Sequence, residues 1–383
     1  MTARILGAVT ASLLAATLAA CGTESAGSAG SGGDPVRLGV TVGLTGYIVN
    51  FDTGVRNGID LAAATLNASG GIAGRPIEVF VEDMESDPQA AVLAVQRLIN
   101  EREVTAVLGG FHSAGTAASA PVLNQGEVPM VVASVLPQDP AFVFSTIPSV
   151  QYELQARIGY LQEKGIKSVG ILYDATPYNK LQLEKARELL GAAGITITSE
   201  EQHTPDAADL RPQVARLLAG GPGAVWKLSG GPTHIVAARA MAGSDLPLML
   251  SIENIDIIRQ AAQVYPSTFF VAAPPQVYSS LRPEEVSDSL REFMENPAVQ
   301  GDATYVGRGW DAVYILAEAM KRAGGDPTGP ALRDALVGME PFVGASGTYD
   351  FTDASHYGLS RNPLYLGTFT PDGQTAIAYR PAG

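Results

Sequence analysis

The chain has 383 residues, of which 46% are apolar, and its 25 basic and 39 acidic side chains give a formal net charge of −14 at pH 7. This acidic balance, with no basic patch, argues against nucleic acid or an acidic surface as a partner. The single cysteine excludes an intramolecular disulfide framework. Because the length exceeds what one hydrophobic core usually serves, the sequence predicts two lobes.

The amino terminus has the pattern of a bacterial lipoprotein signal. Arg4 precedes an apolar segment over residues 5–20 that is short for a membrane span, and this segment ends in Leu-Ala-Ala before Cys21. We therefore expect removal of residues 1–20, a lipid on Cys21, and anchoring to the outer face of the cytoplasmic membrane. A plain secretory signal with a chance cysteine is the alternative. Residues 21–35 are rich in Gly, Ser and Ala and predict a flexible tether.

From residue 36 onward, short β-branched runs alternate with helical patterns. Helices are predicted over 51–66 and from Pro88 onward. The predicted strands lie over 36–44, 77–81, 104–109, 128–132 and 142–147. This alternation predicts a doubly wound parallel sheet of the α/β class.

A second series of the same kind follows. Its helices are predicted over 151–163, 179–192, 209–218 and 233–242, and its strands over 168–173, 195–198, 224–228, 248–251 and 268–272. After Pro274-Pro275 come helices over 283–295, 303–323 and 328–337, then short strands near 348–351 and 364–369.

The sequence thus predicts two doubly wound parallel-sheet lobes joined by a hinge. We expect the first lobe to contain residues 36–147 and 276–345, and the second lobe residues 148–275 and 346–383. Proline and glycine mark the three expected crossings of the hinge, which lie near residues 147–148, 274–275 and 345–347.

The stretch from Val104 to Leu123 contains the first candidate binding site. A buried strand ends at Gly109-Gly110, and a small-residue helix follows with Ser113 near its start. Free backbone N–H groups and the positive end of the helix dipole suit a carboxylate or another anion, with the Ser113 hydroxyl as a further donor. An ordinary strand-to-helix connection is an equal alternative from these residues alone. Because ligands of open α/β sheets bind at the carboxyl ends of the strands, two such lobes predict a site in the cleft between them.

Several short motifs occur in a fixed order along the chain. They are Gly54-Val-Arg-Asn-Gly58, the run from Asn67 to Pro76, Glu82-Asp83 with Asp87-Pro88, Gly109-Gly110 with Ser113, the run from Tyr173 to Tyr178, and Trp310-Asp311-Ala312. Together they resemble the leucine/isoleucine/valine-binding protein family over about residues 36–372. The resemblance implies a type I periplasmic-binding fold and the substrate-binding subunit of a branched-chain amino acid ABC transporter, with the permease and ATPase complex as its partner.

The resemblance also assigns roles to individual positions. Ser113 matches the serine that holds the ligand carboxylate, and Glu253 lies near the acid that pairs with the ligand ammonium. Tyr178 matches a tyrosine that lines the pocket from the second lobe, although Asn179 stands where the family has glycine. The family's other aromatic positions around the pocket fall on Phe51 and Tyr305.

Two departures from the family pattern bear on the ligand. The small and hydroxyl pair after the fourth strand falls among Ala133, Ser134, Val135 and Leu136, so Ser134 is a second candidate donor to the carboxylate, with Ala133 and Leu136 as candidate neighbours. An aromatic side chain of the second lobe falls on Gly230-Gly231. A wider pocket would suit an aromatic or larger acid, and its lining would be Tyr47, Phe51, Tyr178 and Tyr305.

The sequence therefore predicts an extracytoplasmic solute-binding lipoprotein of an ABC importer, which closes over an amino acid or a related small carboxylate. A receptor domain of the same fold that senses a ligand and signals is an alternative. An esterase that uses Ser113 as its nucleophile is a remote alternative. Asp350 or Asp353 and then His356 follow Ser113 in the order found in hydrolases, but Phe111 stands where the nucleophile elbow needs glycine. The four histidines lack metal-ligand spacing, so we expect no metal. The chain also has no phosphate-loop or dinucleotide-binding glycine pattern, and the binding function implies no covalent chemistry, so we expect no cofactor and no enzyme activity.

Overall fold

The computed structural model of the chain describes residues 33–325 and 327–381, except for the side chain of Pro177. The predicted signal segment, Cys21 and residues 21–32 of the tether lie outside the described residues. Within the two described ranges, no helix is both long and apolar enough to span a bilayer.

Five parallel strands form the sheet of the first lobe, in the order β2-β1-β3-β4-β5. The strands are Val36–Val42 (β1), Ile77–Asp83 (β2), Ala106–Gly109 (β3), Met130–Val132 (β4) and Val143–Ser145 (β5), and the helices between them are Val49–Ala68 (α1), Pro88–Asn100 (α2) and Ser113–Gly126 (α3). Alternate side chains of a strand point to opposite faces, so Ala106 and Leu108 pack with α1, whereas Val107 packs with α2 and α3. The sheet is therefore covered on both faces, as its apolar strands require.

The second lobe repeats this arrangement. Its elements are Val150–Glu163 (α4), Ser168–Asp174 (β6), Pro177–Ala192 (α5), Thr196–His203 (β7), Arg211–Ala219 (α6), Ala224–Leu228 (β8), Thr233–Ala240 (α7), Leu248–Leu250 (β9), Ile255–Val264 (α8) and Thr268–Ala272 (β10). The last part of the chain contains Asp288–Glu295 (α9), Ala303–Arg322 (α10), Gly329–Val337 (α11), Phe342–Val343 (β11), Thr348–Tyr349 (β12), Tyr365–Phe369 (β13) and Thr375–Tyr379 (β14). The second sheet has the order β14-β13-β10-β9-β8-β6-β7, and β13 is antiparallel to both of its neighbours.

These two sheets confirm the predicted fold class. The strands β11 and β14 were not predicted, because a two-residue strand and a partly exposed edge strand have little periodicity to detect. The helix predicted over 283–295 is interrupted. A 3-10 turn over Pro283–Glu285 precedes α9, which begins after Ser287 because that side chain accepts a hydrogen bond from the Leu290 N–H over 3.1 Å.

The segment over residues 348–359 packs on the first lobe. Tyr349, Phe351 and Leu359 are buried in the same core as β1 and β3, and Ser145 forms a parallel bridge to Tyr357 at the free edge of β5. The expected assignment of all residues after 345 to the second lobe does not match this packing. The chain passes between the lobes after Leu359, and Leu364 then packs against β10.

Glycines bring α1 and α10 into direct backbone contact. A Cβ atom at Gly58 would lie 1.9 Å from the carbonyl oxygen of Val306, and one at Gly309 would lie 2.0 Å from the carbonyl oxygen of Val55. Real Cβ atoms do not come this close to backbone atoms, so both positions require glycine. The glycines thereby allow the two helices to pack backbone against backbone.

Three charged side chains of α10 and its cap connect this helix to the hinge. Arg308 donates to the carbonyl oxygen of Thr146 over 2.6 Å, beside the first crossing. Asp302 caps α10 and also accepts from the Ile255 N–H of the second lobe over 2.7 Å. Asp311 accepts from the N–H groups of Ala345 and Ser346. Because all three charges are buried, each needs these polar partners.

Candidate functional site

Two serines meet at the carboxyl ends of β3 and β4. Ser113 is the first residue of α3, Ser134 lies two residues after β4, and the Ser134 hydroxyl donates to the Ser113 hydroxyl over 3.0 Å. The helix cap is His112, whose side chain makes no capping hydrogen bond, so no cap side chain occupies the first-turn N–H groups of α3. Neighbouring parallel strands end at one edge of a sheet, which is why two serines 21 residues apart converge. This corner offers two hydroxyls and a helix amino terminus to an anion.

Asp52 lies beneath this corner and was not predicted from the sequence. Its carboxylate accepts hydrogen bonds from the N–H groups of Gly43 and Phe111, both over 2.7 Å, and thereby joins the ends of β1 and β3. Gly110 leaves the space, because a Cβ atom there would lie 2.3 Å from the carboxylate. Burial raises the pKa of Asp52 to about 6, against the lowering effect of the two hydrogen bonds. One sequence signal could have indicated its burial. Asp52 is spaced by three and seven residues from Val55 and Ile59, which places it on the inner face of α1.

We expect Asp52 to make the stability depend on pH. Its folded-state pKa of about 6 exceeds the ordinary value of 3.8, so between these values the folded protein binds more protons than the unfolded chain. The free energy of unfolding should therefore fall as the pH rises through this window, by up to about 1.4 kcal/mol per pH unit. Asp52→Asn removes this titration. The difference between the free energies of unfolding of the wild type and the variant, measured with urea, should therefore change with pH between about pH 4 and pH 6.

Ser69→Ala is the control for this experiment, because Ser69 is exposed at the end of α1 and the change neither adds nor removes a titratable group. Its difference in stability from the wild type should stay constant between about pH 4 and pH 6. A stability difference between the wild type and Asp52→Asn that stays constant over the same pH range would contradict the prediction.

Three aromatic rings pack together beside the serine corner. The ring centroids of Phe51 and Tyr305 are 5.2 Å apart, those of Phe111 and Tyr305 are also 5.2 Å apart, and those of Phe51 and Phe111 are 5.9 Å apart. The structure thus brings together the predicted Phe51 and Tyr305 and adds Phe111. Tyr47 does not join them, since it is 74% exposed and contacts His112 edge-on at 5.9 Å.

The loop after β4 is held by the first lobe itself. Ala133 is buried in the core of that lobe, and its N–H donates to the carbonyl oxygen of Gly109 over 3.0 Å. Leu136 packs partly against the core between α2 and α3. Its N–H donates to the hydroxyl oxygen of Tyr357 over 3.2 Å. Tyr357 was not predicted, because a tyrosine more than 200 positions away gives no local signal.

Tyr178 lies in the first turn of α5, in the second lobe, and its hydroxyl donates to the Glu153 carboxylate over 3.0 Å. Gln182 donates to the other oxygen of that carboxylate over 3.2 Å. Burial raises the pKa of Tyr178, and the charge of Glu153 and the ionisable hydroxyl of Tyr357 add to this effect. Since Tyr357 belongs to the first lobe, Tyr178 lies in the electrostatic neighbourhood of both lobes.

Glu253 lies after β9, and both of its carboxylate oxygens accept backbone hydrogen bonds. One comes from the Gly231 N–H over 2.5 Å and the other from the Asn254 N–H over 2.8 Å. Burial raises the pKa of this carboxyl group. The Glu253 main-chain carbonyl accepts from Gln276 over 2.8 Å, which links the loop to the second crossing.

A buried lysine supports the same loop from the other side. Lys227, near the end of β8, donates to the hydroxyls of Ser229 and Thr233, which flank Gly230-Gly231. Burial lowers the pKa of Lys227 to about 7, although Asp174 and Glu253 oppose this shift. Gly230-Gly231 has no side chains, so no side chain fills the space beside Glu253 on this side of the loop.

Tyr305 connects the two halves of the site electrostatically. It is buried on α10, in the first lobe, and burial raises the pKa of its hydroxyl well above the usual range. The negative charges of Glu253, Asp302 and Glu153 add to this shift, and the first and last of these belong to the second lobe. Tyr305 of the first lobe therefore lies within electrostatic reach of two carboxylates of the second lobe.

The geometry does not provide a catalytic triad around Ser113. His356 stacks on Phe144 at 4.2 Å, and its Nδ1 lies 2.9 Å from the carbonyl oxygen of Pro140. The Ser113 hydroxyl accepts a hydrogen bond from the Ser134 hydroxyl and not from a histidine. Among the residues that the structure describes, no group of three or more His, Cys, Asp or Glu side chains is arranged to hold a metal ion.

Two doubly wound lobes, each with polar residues after its strand ends, have the architecture of a periplasmic-type binding protein. The family model described as "Periplasmic binding protein" matches residues 35–374. The chain therefore belongs to the periplasmic binding protein family.

Curated relatives carry amino acid-binding names. The Leu/Ile/Val-binding protein homolog 2 of Brucella abortus is 24% identical over 219 residues, which cover 55% of this chain and 58% of the relative. The chain thus spans little more than half the length of that relative. The leucine-, isoleucine-, valine-, threonine-, and alanine-binding protein of Pseudomonas aeruginosa is 21% identical over 302 residues, which cover 76% of this chain and 79% of that protein.

Solved structures show the same fold. An extracellular ligand-binding receptor from Rhodopseudomonas palustris HaA2 has a TM-score of 0.77 at 21% identity, covering 90% of this chain and 99% of that one. The branched-chain amino acid transporter substrate binding protein LivJ of Streptococcus pneumoniae, in complex with isoleucine, has a TM-score of 0.74 at 20% identity, covering 90% of this chain and 100% of that one. These likenesses confirm a type I periplasmic binding protein fold.

Proposed function

We propose that the protein is the extracytoplasmic solute-binding lipoprotein of an ABC importer and that it binds a small carboxylate-bearing solute between its lobes. The observation that carries the proposal is the pair of hydroxyls of Ser113 and Ser134 at the uncapped start of α3. Hydroxyl and backbone N–H donors at a helix amino terminus bind carboxylates well. The names of the curated relatives support an amino acid or a related acid as the solute.

The second lobe would complete the site when the lobes close. Each carboxylate oxygen of Glu253 accepts one backbone N–H and retains a lone pair for a ligand ammonium. Tyr178 would line the same side of the ligand. Ligand contacts made only in the closed form would favour that form, which the membrane permease would recognise.

The open space beside Glu253 favours a ligand class that extends from branched-chain to aromatic side chains. Gly230-Gly231 contributes no side chain beside Glu253, and the first lobe offers the rings of Phe51, Phe111 and Tyr305. Aromatic amino acids and small aromatic acids therefore belong in the proposed ligand class together with the branched-chain amino acids.

The anchoring part of the proposal rests on residues 18–21. Leu-Ala-Ala before Cys21 is the pattern at which a lipoprotein signal is cleaved and the cysteine acylated. A lipid there would hold the lobes near the permease through the Gly/Ser-rich tether.

A thermal-shift screen of the purified protein tests the proposed function. Leucine, isoleucine, valine, phenylalanine and small aromatic acids form the panel, and the amide of each active compound is the matched control that lacks the carboxylate. A ligand at about 100 times its Kd stabilises the folded form by about 2.7 kcal/mol, which raises the apparent melting temperature. Equal shifts with acid and amide, or no shift with any acid, would contradict a carboxylate site.

A further inference from the structure

A second cavity lies at the hinge. Its volume is about 190 Å³, and its lining shares no residue with the site described above. Its lining includes Pro274 at the second crossing and Ser287 and Leu290, which follow it. The lining also includes Thr348, before the last passage between the lobes, and Arg361 and Tyr365, after Leu359. The cavity therefore lies between two of the segments that connect the lobes.

Charged groups of both signs lie at this cavity, whose lining includes Glu285 and Arg361. Glu285, which also lines it, is paired with Arg282 over 3.1 Å and with Arg380. Glu284 is paired with Arg282 over 3.5 Å. Arg361 has no hydrogen bond or ion pair with any residue in the described ranges. Arg361 is exposed and is the one of these three arginines that lines the cavity, so its guanidinium is available to an anion there.

The remaining lining combines hydroxyl donors with an apolar surface. The hydroxyls of Tyr365 and Thr348 have no protein partner among the described residues, and Ser287 accepts from the Leu290 N–H but still has its own proton to donate. Leu290, Pro274 and Pro363 supply apolar contacts. A volume of about 190 Å³ is below the range of about 300–1,000 Å³ found for drug-sized ligands, so it suits a shorter molecule.

We propose that this hinge cavity is a second binding site, which takes a short organic carboxylate through Arg361 and the neighbouring hydroxyls. Arg361 pairs with the carboxylate, Tyr365 and Thr348 donate to it, and the hydrocarbon part packs on Leu290 and the prolines. If the lobes close on a solute as proposed above, the crossings that form the cavity change their relative angle. Occupation of the hinge cavity and of the cleft would then alter each other's affinity by the same factor.

Butyrate is a suitable probe, and saturation-transfer NMR on the full-length protein detects its weak binding. We expect Arg361→Gln to weaken butyrate binding by about tenfold, since it removes the charged donor. Arg239→Gln is the matched control, because Arg239 is also exposed but lies on α7, which contributes no residue to the cavity lining. Butyramide, which has the same shape without the charge, should bind more weakly than butyrate.

A variant with both Ser113→Ala and Ser134→Ala separates this site from the cleft. Butyrate binding that survives the serine changes and is lost in Arg361→Gln supports the hinge site, whatever the outcome of the amino acid screen. Three results would overturn it: no butyrate signal in the wild type, an unchanged signal in Arg361→Gln with its circular dichroism intact, or loss of the signal in the serine variant.

Discussion

Gly58→Ala is expected to destabilise the protein severely, by about 3 kcal/mol or more in the free energy of unfolding. The new Cβ would lie 1.9 Å from the carbonyl oxygen of Val306 and 2.9 Å from the backbone nitrogen of Trp310. Both are backbone atoms of α10, so no side-chain rotation can relieve the overlap. The two helices would have to separate along their shared face and lose close-packed contacts. Urea denaturation measures the effect.

Gly191→Ala is the matched control for the α1–α10 contact. Gly191 lies inside α5, and a Cβ atom there meets no atom within 4 Å. Alanine is a better helix former than glycine, so this change should stabilise the protein by about 0.5–1 kcal/mol. The close packing of α1 on α10 would be refuted if Gly58→Ala unfolded at the urea concentration of the wild type.

Removing the hydroxyls of Ser113 and Ser134 together is expected to weaken binding of a carboxylate ligand by about 2–4 kcal/mol, or roughly 30- to 1,000-fold in Kd. Each serine would supply one donor to the carboxylate. The two hydroxyls are themselves hydrogen-bonded over 3.0 Å, so the single changes to alanine should not add up to the effect of the double change. Calorimetry with a ligand from the thermal-shift screen measures both.

Ser69→Ala is the control for the loss of a serine hydroxyl, because Ser69 is exposed at the end of α1. Its affinity should equal that of the wild type. An unchanged affinity in the double variant, with the fold preserved by circular dichroism, would remove the serine pair from the ligand site. If the double variant lost affinity for the amide by the same factor as for the acid, the hydroxyls would recognise something other than the carboxylate.

Much of the serine corner was predictable because its signal is local. An apolar run, two glycines and a serine at the start of a small-residue helix stand together in one stretch, so Ser113 is visible without any tertiary knowledge. Ser134 was visible only as one position in a loop of uncertain register. Its distance of 3.0 Å from Ser113 depends on β3 and β4 being neighbours in the sheet.

Asp52 and Tyr357 show why other parts of the site could not be predicted. Asp52 appears in the sequence as one acidic residue in a helix, and its role follows from the space that Gly110 leaves open. Tyr357 reaches the loop after β4 only because its segment lies along the free edge of β5. The same long-range pairing explains why the residues just after 345 pack on the first lobe, although they were expected in the second. The composition of this segment does not reveal which lobe will bury Tyr349 and Phe351.

The sequence by itself determined the alternation of strands and helices, and hence the two α/β lobes, because hydrophobic period and glycine breaks act over a few residues. It also determined the serine at the start of α3. The tertiary structure decided which strand ends are neighbours, which charges of α10 hold the hinge, and where Arg361 and Tyr365 enclose a second cavity. These features depend on contacts between segments tens to hundreds of residues apart, for which the local pattern contains no physical signal.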